Sequence, residues 1–144
     1  MSEGAALKVA TGIAVTLLGA FALVTWWALE SAGVAVLATR AADGSSRSTH
    51  VWFAEAEGEL WLEAGTPENS WYVDVQTHPV ISFSTPARSG KFLAEPDSSA
   101  AARDQIRALL REKYGFRDWW VSVIFDTSHS IAVRLVPTSV QAGP

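Results

Sequence analysis

The sequence predicts an α+β chain in which one membrane-length helix precedes a small β-barrel. Three observations lead there: a 21-residue uncharged stretch near the N-terminus, β-branched runs punctuated by glycine and proline, and two helical patterns set among those runs. With 144 residues, 49% hydrophobic and 18% charged, the chain has too many apolar groups for disorder and is long enough for about one compact domain. The absence of cysteine excludes disulfide scaffolds, thiolate metal sites and cysteine nucleophiles. A net charge of −4 argues against a surface that neutralises many phosphates, so nucleic acid is not an expected partner.

The uncharged stretch, VATGIAVTLLGAFALVTWWAL, runs from Val9 to Leu29 between Lys8 and Glu30. As a helix it reaches about 31 Å, close to the hydrocarbon thickness of a bilayer. Trp26 and Trp27 stand near its end, where indoles favour the headgroup region. The run is longer than the apolar part of a cleaved leader and the segment before it is barely basic, so an anchor is the expectation. Residues 1–30 are read as a single-pass anchor with membrane lipid as a partner, and residues 31–144 as one folded unit. Arg40 and Arg47 follow the span while Lys8 alone precedes it, which favours a cytoplasmic C-terminal unit.

Within that unit, Val34–Arg40, Arg47–Ala56, Glu59–Gly65, Val80–Pro86 and Gly90–Pro96 read as five strands, with turns at Asp43-Gly44 and Glu57-Gly58. Between the third and fourth lies a short helix, with Pro67 suited to its first turn and Pro79 stopping it. A longer helix is predicted from the Asp97-Ser98-Ser99 caps through Tyr114, with Ala102, Ile106, Leu109, Leu110 and Tyr114 on one face and Gly115 at its end. Ser130–Pro137 alternates as a sixth and last strand.

Histidines at 50, 78 and 129 have no metal-ligand spacing, and no phosphate-binding glycine loop is present. Asp126, Ser128 and His129 are neighbours, but without a nucleophile elbow they do not predict hydrolysis. Arg47, Ser48 and Thr49 are a candidate phosphate grip, or else a solvated strand face. Substitution of Arg47 on such a face is expected to leave the fold intact. Trp52, Trp61, Trp71 and Tyr72 gather in the middle segment, and Tyr114, Phe116, Trp119 and Trp120 after the long helix. Such aromatics fill a core, touch a membrane, or wall a slot for a planar ring. Arg103, Arg107 and Arg111 recur at i, i+4, i+8, which is either a solvated face or a row facing an anion.

The run VAVLATRAADGSSRSTHVWF, then EGELWLEAGT, then SWYVDVQTHPVISF, resembles the flavin and deazaflavin split-barrel oxidoreductases related to pyridoxamine-phosphate oxidase. The Trp71-Tyr72 pair, Asp74-Val75 and His78-Pro79 are similar to the deazaflavin-dependent nitroreductase branch, and the tail YGFRDWW to an aromatic segment on its substrate side. The resemblance covers about residues 33–137. It implies a six-stranded split β-barrel and hydride transfer from a reduced deazaflavin of the F420 type to a nitroaromatic or quinone, with a homodimer among the expected assemblies. Carried over by position, Arg47, Ser48 and Thr49 contact the cofactor's phosphate side. Ala64, Gly65, Thr66, Trp71 and Tyr72 border its ring and chain, and Tyr114, Phe116 and Trp119 face substrate. One departure is the turn Ala41-Ala42-Asp43-Gly44-Ser45, where that branch has a basic glycine-rich turn. It is nearer that of the flavin mononucleotide (FMN) members, so FMN is the alternative cofactor. The resemblance leaves two functions open, a membrane-anchored oxidoreductase and a non-catalytic cofactor-binding or interaction module.

Overall fold

The computed structural model describes residues 3–30 and 33–138. Helix α1 spans Glu3–Glu30 and is long and apolar enough, by length and composition, to cross a membrane. Its threonines do not interrupt the apolar surface. The hydroxyls of Thr11, Thr16 and Thr25 each donate to the carbonyl four residues back, at 2.8–2.9 Å, which satisfies them within the helix.

The chain continues through β1 (Ala35–Arg40), β2 (Ser46–Val51), β3 (Phe53–Ala56), β4 (Glu59–Ala64), α2 (Ser70–Thr77), β5 (Val80–Thr85), β6 (Arg88–Asp97), α3 (Ala100–Tyr114), α4 (Phe116–Ile124) and β7 (Ile131–Pro137). The seven strands form one antiparallel sheet in the order β2-β1-β5-β6-β7-β4-β3. Strands β2 and β3 therefore occupy opposite edges, yet only Trp52 separates them in sequence. The sheet must curl until its two edges adjoin, which makes it a barrel split at Trp52.

That seam corrects the six-strand expectation. The predicted strand Arg47–Ala56 divides at Trp52, its first half pairing with β1 and its second with β4. The apolar run Val51-Trp52-Phe53-Ala54 crosses the break without a turn residue, so the pattern alone hid it. The β3–β4 turn places Glu57 at φ 54° and Gly58 at φ 81°, the left-handed pair that a two-residue hairpin needs. Pro67 precedes α2 instead of entering it. Asn69 donates to the Thr66 carbonyl at 3.2 Å, which makes Pro67 the second residue of a turn, a position that its fixed φ suits.

Alternate strand residues fill the barrel: Leu37, Leu60, Leu62, Ile81, Phe83 and Val133 meet Trp71, Tyr72 and Val75 of α2 inside it. A second cluster lies outside, where Ile106, Leu110 and Tyr114 of α3 cover Ala54 and Ala132. The Ser99 hydroxyl caps α3 by accepting from Ala102 N at 3.1 Å, and Gly115 at φ 54° ends it. The arginine row on α3 meets anions from the chain itself. Arg107 reaches Glu63 at 2.9 Å and Asp118 at 2.6 Å, while Arg111 lies 3.9 Å from Asp118. Asp118 belongs to α4, a helix that the sequence reading left as an aromatic tail.

Candidate functional site

A groove with a volume of about 530 Å³ opens at the barrel seam. Thr49, His50, Val51 and Trp52 form one wall where β2 ends. Gly65, Thr66 and Asn69 form the loop into α2, whose Trp71 closes the floor, and Glu63 of β4 stands beside them. Val121, Phe125, Asp126 and Thr127 bring in the end of α4, and Leu29 the end of α1. The volume is in the range of small-molecule sites, and the mix of apolar walls with a few hydroxyl and amide groups is what such sites use. The Arg107–Glu63 pair fixes Glu63 from behind the sheet, and Arg103 fixes the far loop by donating to the Ser128 carbonyl at 2.9 Å.

The groove brings together four of the eight predicted cofactor residues: Thr49, Gly65, Thr66 and Trp71. Trp71 is only 1% exposed, so it is as much core as wall. Ala64 and Tyr72 are buried in the barrel interior beside it. Arg47 lies two positions from Thr49 on the same face of β2 and outside the groove lining. Its Nε donates to Asp74 Oδ2 at 2.9 Å, and the Thr39 hydroxyl donates to that same oxygen at 2.7 Å. Ser48 points to the opposite face and is exposed.

The three residues predicted on the substrate side are not brought to the groove. Tyr114 is buried against Trp52, the rings stacked at 4.3 Å, and its hydroxyl donates to the Gly33 carbonyl at 3.0 Å. Burial raises its pKa above the ordinary tyrosine value. Phe116 and Trp119 lie on the outer side of α4, both more than half exposed. The sequence reading missed His50, Asn69, Val121 and Phe125. The first two sit beside Thr49 and Trp71 in register and were open to recognition once the strand and helix were placed, whereas the last two depend on α4.

A second cleft of about 490 Å³ is lined by Thr39, Arg40, His78 and Lys91 among others. It carries the cations of Arg40 and Lys91 but no Phe, Tyr or Trp side chain. The trio at the β7 approach has no catalytic geometry: Ser128 Oγ and Asp126 Oδ2 both face His129 Nδ1, at 3.0 and 3.5 Å, on the exposed surface. A relay needs the two partners on different ring nitrogens. Among the described residues no group of three or more His, Asp or Glu side chains is placed to hold a metal ion.

No protein-family model matches the chain, and no curated protein does. Solved structures do. A conserved protein of Mycobacterium tuberculosis, Rv2991, superposes with a TM-score of 0.57 at 21% identity, over 81% of this chain and 79% of that one. An F420 reductase does so with a TM-score of 0.55 at 16% identity, over 74% and 86%. HutZ, described as a heme storage protein from Vibrio cholerae, gives 0.56 at 14%, over 73% and 81%. The chain therefore shares the split-barrel fold of these proteins.

Proposed function

We propose that the chain is a membrane-anchored split-barrel oxidoreductase that holds a planar redox heterocycle, a deazaflavin or FMN, in the seam groove. Residues 1–30 serve as the anchor and residues 31–144 as the cofactor-binding unit. The observation that carries this reading is the convergence of Thr49, Gly65, Thr66 and Trp71 on one groove at the end of α1. The groove suits the flat apolar body of such a cofactor better than its anionic tail. Its lining has the acidic Glu63 and Asp126 but neither lysine nor arginine. The guanidinium of Arg47, 42% exposed, is the cation that the same strand face offers beyond Thr49.

When bound, a reduced flavin or deazaflavin supplies the hydride. The chain's part is to orient the ring against Trp71, to give its polar edge the hydroxyls of Thr49 and Thr66 and the amide of Asn69, and to exclude water with Val121 and Phe125. No side-chain acid or base is needed for that role. An acceptor that partitions into lipid, a quinone or a nitroaromatic, accounts for a groove that opens beside an apolar helix. The anchor reading gains support from how α1 ends. Trp52 Nε1 donates to the Leu29 carbonyl at 3.0 Å and Ala28 is fully buried, contacts that a removable leader has no reason to make. A homodimer fits the same reading.

A binding module without turnover is the second reading, and the commitment of Arg47 Nε to Asp74 favours it. The two are separated by titrating the detergent-solubilised protein with FMN and with deazaflavin by absorbance, then adding a quinone to the reduced complex. Saturable binding with oxidation of the reduced cofactor supports the enzyme, binding without oxidation supports the module, and no binding of either overturns both.

A further inference from the structure

Helix α4 is built inside out. Its acidic and hydroxyl side chains Asp118 and Ser122, one turn apart, face the barrel, where Arg107 donates to both at 2.6 and 2.8 Å. Asp118 is completely buried there. Phe116, Trp119 and Val123, at i, i+3 and i+7, share the opposite face and are 56%, 55% and 66% exposed. Ordinary amphipathic helices of soluble proteins point these two faces the other way, because burial of apolar area is what holds them in place.

A third side of α4 rests on α1. The Trp120 ring lies 5.7 Å from Phe21, its Nε1 donates to Thr25 Oγ1 at 3.1 Å, and the Arg117 guanidinium sits 4.1 Å over the Trp27 ring. The exposed face of α4 is thus continuous with Trp26 and Trp27, themselves exposed, at the level where α1 reaches the barrel. We infer that α4 is an in-plane membrane helix: Phe116, Trp119 and Val123 enter the lipid at the boundary of headgroups and acyl chains and seat the barrel, groove first, on the bilayer. This inference rests on the reading of α1 as a membrane span.

Distances along α1 agree. The uncharged run Val9–Leu29, bounded by Lys8 and Glu30, is 21 residues, about 31 Å of helix against about 30 Å of hydrocarbon. Phe21–Trp27, alongside α4, is about the last 10 Å of that run, which puts α4 at the depth where amphipathic helices and aromatic belts lie. Arg111, 71% exposed and 3.9 Å from Asp118, puts a cation at the flank of α4, where phosphate headgroups begin.

The chain has no cysteine, so single nitroxide labels report position without background. Full-length variants V15C, W119C and V123C are reconstituted in phospholipid vesicles, and the relaxation of each label by oxygen, which concentrates in lipid, is compared with that by a water-soluble nickel chelate. At 119 and 123 oxygen is expected to dominate, with a depth nearer the surface than at 15. Labels at 119 and 123 relaxed by the chelate while 15 remains in lipid would overturn the seat and leave the anchor standing. Chelate access at 15 as well would remove the anchor reading, and the seat with it. Spin–spin broadening at 119 and 123 that disappears on dilution with unlabelled protein would show a second copy on this face and overturn the lipid assignment. W119C and V123C are both surface positions, so their folding is independent of the result.

Discussion

Arg47 and Asp74, 27 positions apart, are joined by a 2.9 Å hydrogen bond from Nε to Oδ2, with Asp74 only 5% exposed. The pair ties β2 to α2 across the rim of the barrel. It bears on the expectation that an Arg47 substitution costs little stability, because the guanidinium holds a buried carboxylate. R47A leaves a buried carboxylate with the Thr39 hydroxyl as its remaining hydrogen-bond donor, and a stability loss of about 1–2 kcal/mol is expected, since hydrogen bonds to charged groups are worth more than neutral ones and half of the arginine is solvated. Urea denaturation of the variant measures it. A loss near zero would mean that the pair contributes nothing, and any weakening of cofactor binding must be read after this term.

Gly65 lines the groove, and a Cβ built on it meets no other atom within 4 Å. Its backbone does not need left-handed freedom. G65L is therefore expected to fold with a stability change within about 0.5 kcal/mol while placing four carbons in the groove. Titration with FMN or deazaflavin is expected to lose saturation. Unchanged affinity would move the cofactor out of this groove.

Arg107 satisfies Glu63, Asp118 and Ser122 at once. In R107L both carboxylates lose that donor, and Asp118 remains buried without it. The expected cost is about 3–5 kcal/mol, as for removal of one partner from a buried ion pair. The double variant R107L/D118L is expected to recover part of it, because two apolar groups leave less unpaired charge than one. Thermal unfolding of the two proteins side by side gives the comparison, and equal losses would mean that Asp118 is not the group that Arg107 supports.

Lys113 donates to the Phe53 carbonyl at 2.8 Å with its Nζ 3.1 Å above the Phe53 ring. Desolvation there lowers its pKa from 10.5 to about 8, against the opposing pull of Glu55. The unfolded chain holds the proton more tightly than the folded one in the window between those values. Stability from this group is therefore expected to rise with pH across about 8 to 10.5, and K113M is expected to flatten the rise. Parallel denaturation curves across that window, with and without the substitution, test the sign.

Much of the barrel was legible because strands such as β1, β4 and β5 alternate between buried and exposed positions, as Ile131, Val133 and Leu135 do against Arg134. The helix caps were legible too, since Ser99 and Gly115 act locally. What the pattern could not show was the break at Trp52, which arises only when the sheet closes on itself. Nor did it show α4: Phe116, Trp119 and Val123 keep helical spacing, but beside Gly115 and a run of aromatics they read as a tail, and the polar face that completes the helix is explained only by Arg107 of another element. The site divided in the same way. Thr49, Gly65, Thr66 and Trp71 were reachable from motif order, whereas the pairing of Arg47 with Asp74 was not, because the two meet only across the fold.

Since a single residue bridges the two sheet edges, the Cα atoms of Val51 and Phe53 can stand no farther apart than about 7 Å. The pinned side of the groove cannot breathe by unzipping the ribbon there. Widening that admits a bulky guest falls to the Gly65–Asn69 loop, the Phe125–Thr127 loop and the end of α1, which line the groove without that tether.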